Sequence, residues 1–281
     1  MACRSVFVTF AAAALLLATA ACDTTGRAAP AASAAPVVGA ASASAATGQR
    51  VATERLRTRV VQTYPHDPNA FTQGLVLEGG RLFESTGLEG RSSLREVDLA
   101  TGRVLRKLDV PAPVFAEGLA LVGTRLFQIT WKHETVFTYD RDTFKKGPSF
   151  PYSGEGWGLC HDGRELVMSD GSARLTFRGA ETFRSMREVV VRDGGQPVDQ
   201  LNELECVGPN VYANVWMTDR IVRVDPKTGA VTATIDASNL LPATERPGTD
   251  VLNGIAYDRS NDTFLITGKL WPKLFRVRFV R

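Results

Sequence analysis

The chain has 281 residues, a formal net charge of +3 and basic residues scattered rather than gathered into a stripe, a distribution that argues against nucleic acid as a partner. Three histidines and four cysteines leave little material for a metal centre. Once the N-terminal segment is set aside, about 225 residues remain, enough for one sizeable domain.

Residues 1–21, MACRSVFVTFAAAALLLATAA, combine one early positive charge, Arg4, with an apolar run from Val6 to Leu17 and small residues after it. The pattern predicts an export signal, too short and too lightly flanked for a membrane span. Two processing sites stay open. Ala18-Thr19-Ala20 fits an A-x-A cleavage site and a free periplasmic product. Ala20-Ala21-Cys22 looks like a bacterial lipobox that would put a lipid anchor on Cys22, with Thr19 standing where leucine is usual. Residues 23–50 are nearly all Ala, Ser, Gly, Pro, Thr and Val, with no aromatic. So little large apolar surface cannot offset ordering entropy, and Pro30 and Pro36 disfavour an alanine helix. A flexible tether is expected over 22–56 and a folded domain over 57–281. Inside that domain only Cys160 and Cys206 remain. A disulfide between them is permitted in an oxidising compartment, and two buried free thiols are equally open.

Five segments then share one register: FTQGLVLEGGRLFEST (71–86), FAEGLALVGTRLFQIT (115–130), GWGLCHDGRELVMSD (156–170), LNELECVGPNVYANV (201–215) and LNGIAYDRSNDTFLIT (252–267). Their anchors are Gly74, Gly118, Gly158, Glu203 and Gly254, spaced by 44, 40, 45 and 51 residues. Each segment reads as a strand, a tight turn and an alternating strand, a hairpin signal. A third strand follows in most units (SLREVDL, ETVFTYD, ARLTF, RIVRVD, LFRVRFV), then a turn and a fourth strand such as AVTATID. A four-stranded unit recurring every 40–50 residues, with no helical period between, predicts an all-β, five-bladed β-propeller; a sandwich would not explain five anchors in fixed register. The chain ends within a third strand, so RTRVVQTYP (57–65) is expected to supply the missing outer strand and close the ring.

In a propeller the first strand of each blade lines the central channel. The residues just before the anchors are Gln73, Glu117, Trp157, Asn202 and Asn253. Four of these five are polar where a packed core would carry Val or Ile, and unpaired polar groups in a core cost roughly 2–7 kcal/mol each. They read as a polar ring converging on the axis. A second ring lies at the exits of the second strands: Gly87, Trp131, Gly171, Trp216 and Lys269. Tryptophans and a lysine over a polar funnel describe a binding pocket. Trapped water holding the blades together is the bland alternative. His66, His133 and His161 show no metal-ligand spacing, and neither a G-x-S-x-G elbow nor a phosphate-binding loop is present.

The motifs FTQGL, LFESTGL-x-GRSS, F-x-EGLA, GWGLCHDG, MSDGS, LNELE, YANVW, VLNGIAYD and TGKLWP, in this order across residues 58–281, resemble the plant-type glutaminyl-peptide cyclotransferases, a family that also occurs in bacteria as exported proteins. The resemblance implies a five-bladed propeller that converts N-terminal glutamine of peptides or proteins to pyroglutamate and releases ammonia. It also implies no cofactor and no catalytic zinc. Carried over by motif, the central acid would be Glu117. Phe71, Gln73, Phe115, Trp131, Trp157, Asn202, Trp216 and Lys269 would form the substrate pocket. A monomeric, exported, periplasmic enzyme is expected. The competing reading is a non-catalytic periplasmic propeller that binds peptides or sugars; it would need the aromatic funnel but not an isolated carboxylate.

Overall fold

The computed structural model describes residues 52–281. The expected export signal, Cys22 and all of the tether before residue 52 lie outside the described residues. Period-two alternation broken by glycine turns produces strands throughout, and the sole helical piece among the described residues is a single 3-10 turn, Ala243–Glu245. The fold is all-β.

Strand β1 (Glu54–Pro65) starts before the expected domain boundary at residue 57. Residues 54–56, expected in the tether, are strand because Glu54–Arg57 pair in parallel with Ala233–Asp236. Three antiparallel four-stranded sheets follow. The first holds β2 (Thr72–Glu78), β3 (Arg81–Thr86), β4 (Ser93–Val97) and β5 (Val104–Asp109). The second holds β6 (Ala116–Val122), β7 (Arg125–Thr130), β8 (Thr135–Asp140) and β9 (Phe150–Pro151). The third holds β10 (Leu159–His161), β11 (Leu166–Ser169), β12 (Arg174–Arg178) and β13 (Ser185–Val190).

A small hairpin, β14 (Arg192–Asp193) and β15 (Gln196–Pro197), leads into β16 (Leu201–Val207), β17 (Asn210–Val215), β18 (Arg220–Val224) and β19 (Val231–Asp236). The chain finishes with β20 (Leu252–Asp258), β21 (Thr263–Gly268) and β22 (Lys273–Val280). These last seven strands join β1 in one eight-stranded sheet, ordered β16-β17-β18-β19-β1-β22-β21-β20. Within it β1 runs antiparallel to β22, from Thr58 opposite Phe279 to Pro65 opposite Lys273. A strand from the start of the domain therefore completes the unit at its end.

The apolar core is divided rather than central. Among the described residues it falls into five clusters, each shared by two four-stranded units. Phe83 and Leu94 pack on Leu126 and Tyr139; Phe127 and Ile129 pack on Leu159 and Leu166. Phe177 meets Val211 and Val222, Ile235 meets Ile255 and Ile266, and Leu75 and Leu82 meet Leu265. This is face-to-face sheet packing, with apolar faces interdigitated between neighbours. A disulfide joins Cys160 of β10 to Cys206 of β16, with Cα atoms 5.5 Å apart.

The first strands of the units lie against one another along their backbones. A Cβ on Gly74 would sit 2.5 Å from the Leu119 nitrogen, and one on Gly118 would sit 2.5 Å from the Leu159 nitrogen. A Cβ on Gly158 would strike the Asn202 carbonyl. At the fourth anchor Glu203 replaces glycine, and its carboxyl reaches across to accept the N–H groups of Leu75 (3.2 Å) and Ile255 (2.7 Å).

Gly74, Gly118 and Gly158 are thus required by space and not by turn geometry, a distinction that substitution can expose. Gly158→Ala is expected to lower unfolding free energy by roughly 1–3 kcal/mol through forced backbone displacement. Gly123→Asn, at a turn with φ 60° and open surroundings, should stay within about 1 kcal/mol of the parent because asparagine tolerates the left-handed region. Urea denaturation of both variants compares them directly. Equal losses would remove the close-approach account of the anchors.

Candidate active site

Irregular register interrupts four of the inner hairpins, each time at the anchor. The shifts fall between Thr72 and Gly74, Ala116 and Leu119, Leu201 and Leu204, and Leu252 and Ile255. A bulge breaks strict alternation and re-aims the residue it carries. Gln73, Glu117, Asn202 and Asn253 occupy these breaks and all four are buried. Asn253 Nδ2 donates to Gln73 Oε1 at 3.1 Å and to the Thr72 carbonyl at 3.0 Å. Gln73 Nε2 in turn donates to Glu117 Oε1 at 3.1 Å. A hydrogen-bonded chain across the inner strands fixes the carboxyl.

A cavity of about 280 Å³ is lined by Phe71, Gln73, Phe115, Glu117, Trp131, Trp157, Asn202, Trp216 and Lys269. All nine residues singled out from the sequence meet around this one space. Phe71 and Phe115 stack edge to face with centroids 6.1 Å apart, Phe115 and Trp131 at 5.7 Å, and Trp157 and Trp216 at 5.6 Å. The Lys269 ammonium lies 4.9 Å from the Phe71 ring centroid. The two glycines of the exit ring explain themselves here. A Cβ on Gly87 would collide with the Phe115 ring, and one on Gly171 would sit 2.6 Å from the Trp157 indole. They make room for aromatic walls.

Burial pushes the Glu117 carboxyl well above the ordinary glutamate value, with Lys269 opposing and the Glu155 carboxylate adding to the rise. Burial lowers the Lys269 ammonium, opposed by Glu117 and Asp250. An acid raised and an amine lowered in one dry cleft have their proton affinities drawn toward one another. Asn202 Oδ1 is buried and has no hydrogen-bond partner among the described residues. An unsatisfied buried acceptor costs about 1–3 kcal/mol, and Asn202 is among the residues that line the cavity. Gln73 is less free: one of its amide N–H groups is already engaged by Glu117.

Other acids near the inner strands are occupied elsewhere. Glu84 accepts from Thr72 Oγ1 at 2.7 Å and pairs with His66 Nε2 at 3.0 Å. Burial works against its charge, but His66 and Arg95 hold the carboxyl below the usual range. His66 Nδ1 contacts the Trp271 carbonyl at 2.8 Å, so this pair backs both the Phe71–Gln73 stretch and the turn after Lys269. Glu203 spends both oxygens on backbone N–H groups. Two participants escaped sequence reasoning. The buried His66–Glu84 pair unites residues with no shared register, and Glu155, in GEGWG, accepts the indole N–H of Trp131 at 2.8 Å and of Trp157 at 3.0 Å. Glycines flanking an acid were the only signal for it. Among the described residues no group of three or more His, Cys, Asp or Glu side chains is placed to hold a metal ion.

A family model described as glutamine cyclotransferase matches residues 31–279 of the chain. Glutaminyl-peptide cyclotransferase of Arabidopsis thaliana is 46% identical over 226 residues, covering 78% of this chain and 70% of the relative. The crystal structure of Myxococcus xanthus glutaminyl cyclase superposes with a TM-score of 0.74 at 40% identity, covering 81% of this chain and 98% of that one.

The same inner strands carry a pH-sensitive group away from the cavity. Desolvation pushes the Glu205 carboxyl up to about 8, against the pull of the Tyr257 N–H and Arg259. An unfolded glutamate titrates near 4.3. The folded protein therefore holds this proton more tightly, and the associated stability is full below the unfolded value and is lost as pH rises through about 8. Urea midpoints measured from pH 5 to 9 should fall less steeply for Glu205→Gln than for the parent. Parallel curves would mean that Glu205 ionises as readily folded as unfolded.

Proposed function

Since the chain belongs to the glutamine cyclotransferase family, we propose that it cyclises N-terminal glutamine of peptides or proteins to pyroglutamate, releasing ammonia, with Glu117 as the single proton-transfer group. The observation that carries the mechanism is one buried, raised carboxyl facing an aromatic-walled cavity beside Lys269.

The α-amine attacks the side-chain carboxamide carbon of its own residue. A C–N bond forms, the attacking nitrogen loses a proton, and the departing amide nitrogen must gain one to leave as ammonia. A carboxyl between the two nitrogens takes the first proton and delivers it to the second. An α-ammonium group titrates near 7.7–8.0, so a carboxyl raised by burial exchanges protons with it at little energetic cost. Lys269 and the remaining N–H of Gln73 are the donors for the developing oxyanion. Asn202 Oδ1 accepts from the substrate's amine or amide. The aromatic walls exclude water and hold amine and carboxamide in reach of one another, which is where most of the advantage of an intramolecular attack lies. No zinc enters this scheme.

The architecture proposed with it is a closed five-bladed propeller. In support, five four-stranded units include the one completed by β1, consecutive units share the five apolar clusters, and Asn253 of the last unit bonds back to Thr72 of the first. Export belongs to the same reading. The composition of residues 1–21 favours it, as does the Cys160–Cys206 disulfide, a bond that persists in oxidising compartments. A free product cut after Ala20 and a lipid anchor on Cys22 are the two forms this reading allows, with the enzyme acting as a monomer.

The direct test incubates the purified chain with a Gln-Ala peptide and follows ammonia and the matching mass loss. Glu117→Gln keeps shape and hydrogen bonding but abolishes proton exchange. It should lose roughly 10²–10⁴-fold in kcat, about 3–5 kcal/mol of barrier, with little change in melting temperature. A folded variant with near-normal kcat would end the assignment. The profile of kcat/KM against pH should be bell-shaped. Lys269→Met removes the cation that holds Glu117 down, so the acidic limb should move to higher pH. The substrate amine titrates identically in both enzymes, and an unmoved or lowered limb would contradict the coupling.

A further inference from the structure

The aromatic wall of the cavity is built as two stacks. One runs Phe71–Phe115–Trp131 and the other pairs Trp157 with Trp216. What joins them is a carboxylate. Glu155 Oε2 accepts the Nε1–H of Trp131 at 2.8 Å and the Nε1–H of Trp157 at 3.0 Å. Its other oxygen lies 3.6 Å from Lys132 Nζ, and that ammonium sits 4.0 Å from the Trp131 ring centroid. The Glu155 side chain is 39% exposed, so folding alone did not demand an acid there.

An indole has a single donor and turns about two side-chain torsions, and at a half-wet site its N–H would otherwise be drawn to water. One acceptor shared by two indoles couples their orientations. A carboxylate suits this task because it only accepts, and bonds to its charged form are short and strong. The two tryptophans come from different four-stranded units, so their mutual angle is not set by one strand pairing.

The geometry points to Glu155 as a positioning residue for cyclisation: its carboxylate locks Trp131 and Trp157 at a fixed mutual angle and so shapes the mouth that receives the glutaminyl residue. This rests on the cavity being the cyclisation site. The charge has a second effect. Glu155 adds to the upward push on Glu117, against Lys269. The other charged or titratable groups in this set are Lys132 beside Glu155, Tyr152 near Glu117 and Asp250 near Lys269.

Glu155→Ala and Glu155→Gln, made in the full chain, separate the two effects. Loss of both acceptor bonds in Glu155→Ala should raise KM for Gln-Ala peptide about tenfold or more, with a smaller drop in kcat. It should also alter the near-UV circular dichroism of the tryptophans. Glu155→Gln retains an amide oxygen with two acceptor sites, so KM and the near-UV signal should return toward the parent. Its missing charge should move the acidic limb of kcat/KM to lower pH, opposite to Lys269→Met. Parent-like KM in Glu155→Ala would overturn the proposal. So would equal defects in both variants that follow melting temperature while the pH limb stays in place. If the parent chain itself released no ammonia, the cyclisation reading would fall instead. The near-UV comparison would then still report whether Glu155 holds the indoles.

Discussion

Backbone crowding at the inner strands governs what the rest of this molecule can do. At Gly74, Gly118 and Gly158 the position of a Cβ is taken by backbone of the neighbouring strand. Side chains cannot leave the strands sideways there, and Gln73, Glu117 and Asn202, each just before an anchor, are turned by a break in register toward the cavity instead. Polar groups so placed are isolated from water, where each would cost roughly 2–7 kcal/mol if unpaired. They therefore satisfy one another in series, Asn253 to Gln73 to Glu117. A packing requirement and a chemical one are met by the same local distortion.

The dryness that makes this network necessary also sets its proton affinities. Aromatic walls and close-packed strands desolvate Glu117 and Lys269 together, raising one and lowering the other, while each opposes part of the other's shift. The surrounding acids show how selective the arrangement is. Glu84 is as deeply buried as Glu117, yet His66 and Arg95 keep it ionised. Glu203 is buried too, and its oxygens are tied to two backbone N–H groups. Glu117 alone among these combines burial, a cavity in front of it and a nearby lysine.

Much of this was written in local pattern. The hairpin register placed seven of the nine residues that line the cavity, because anchor spacing survives insertions in the outer strands; Phe71 and Phe115 came only with the family resemblance. What pattern could not carry were contacts between residues with no common register. Strand β1 starts at Glu54 because its first residues meet Ala233–Asp236, nearly the whole domain away in sequence. The β14–β15 hairpin carries a turn signal, Gly194-Gly195, but nothing in the repeat says where an extra hairpin belongs. Cys160 and Cys206 sit on adjacent inner strands, but spacing alone left bridge and free thiols equally open. Glu155 looked like a loop acid between glycines, and only three dimensions bring Trp131 to it.

Chemistry and shape are drawn together from both chain ends of the inner hairpins. The inner strands supply the carboxyl and its hydrogen-bond chain, beside glycines where a Cβ would strike the neighbouring backbone. The approaches to the first strands supply Phe71, Phe115 and Trp157, the exits of the second strands supply Trp131, Trp216 and Lys269, and glycine at 87 and 171 leaves the large rings somewhere to lie. In the proposed mechanism a single carboxyl serves two nitrogens in turn, which tolerates little error in their placement, since effective concentration falls steeply with misorientation. Rigid walls are then as necessary as the acid itself. Rings that pack edge to face hold their separation, and hydrogen bonds to the indoles hold their tilt. Trp131, Trp157 and Trp216 lie outside the strand that carries Glu117, so they can be altered with the acid and its hydrogen-bond chain left in place.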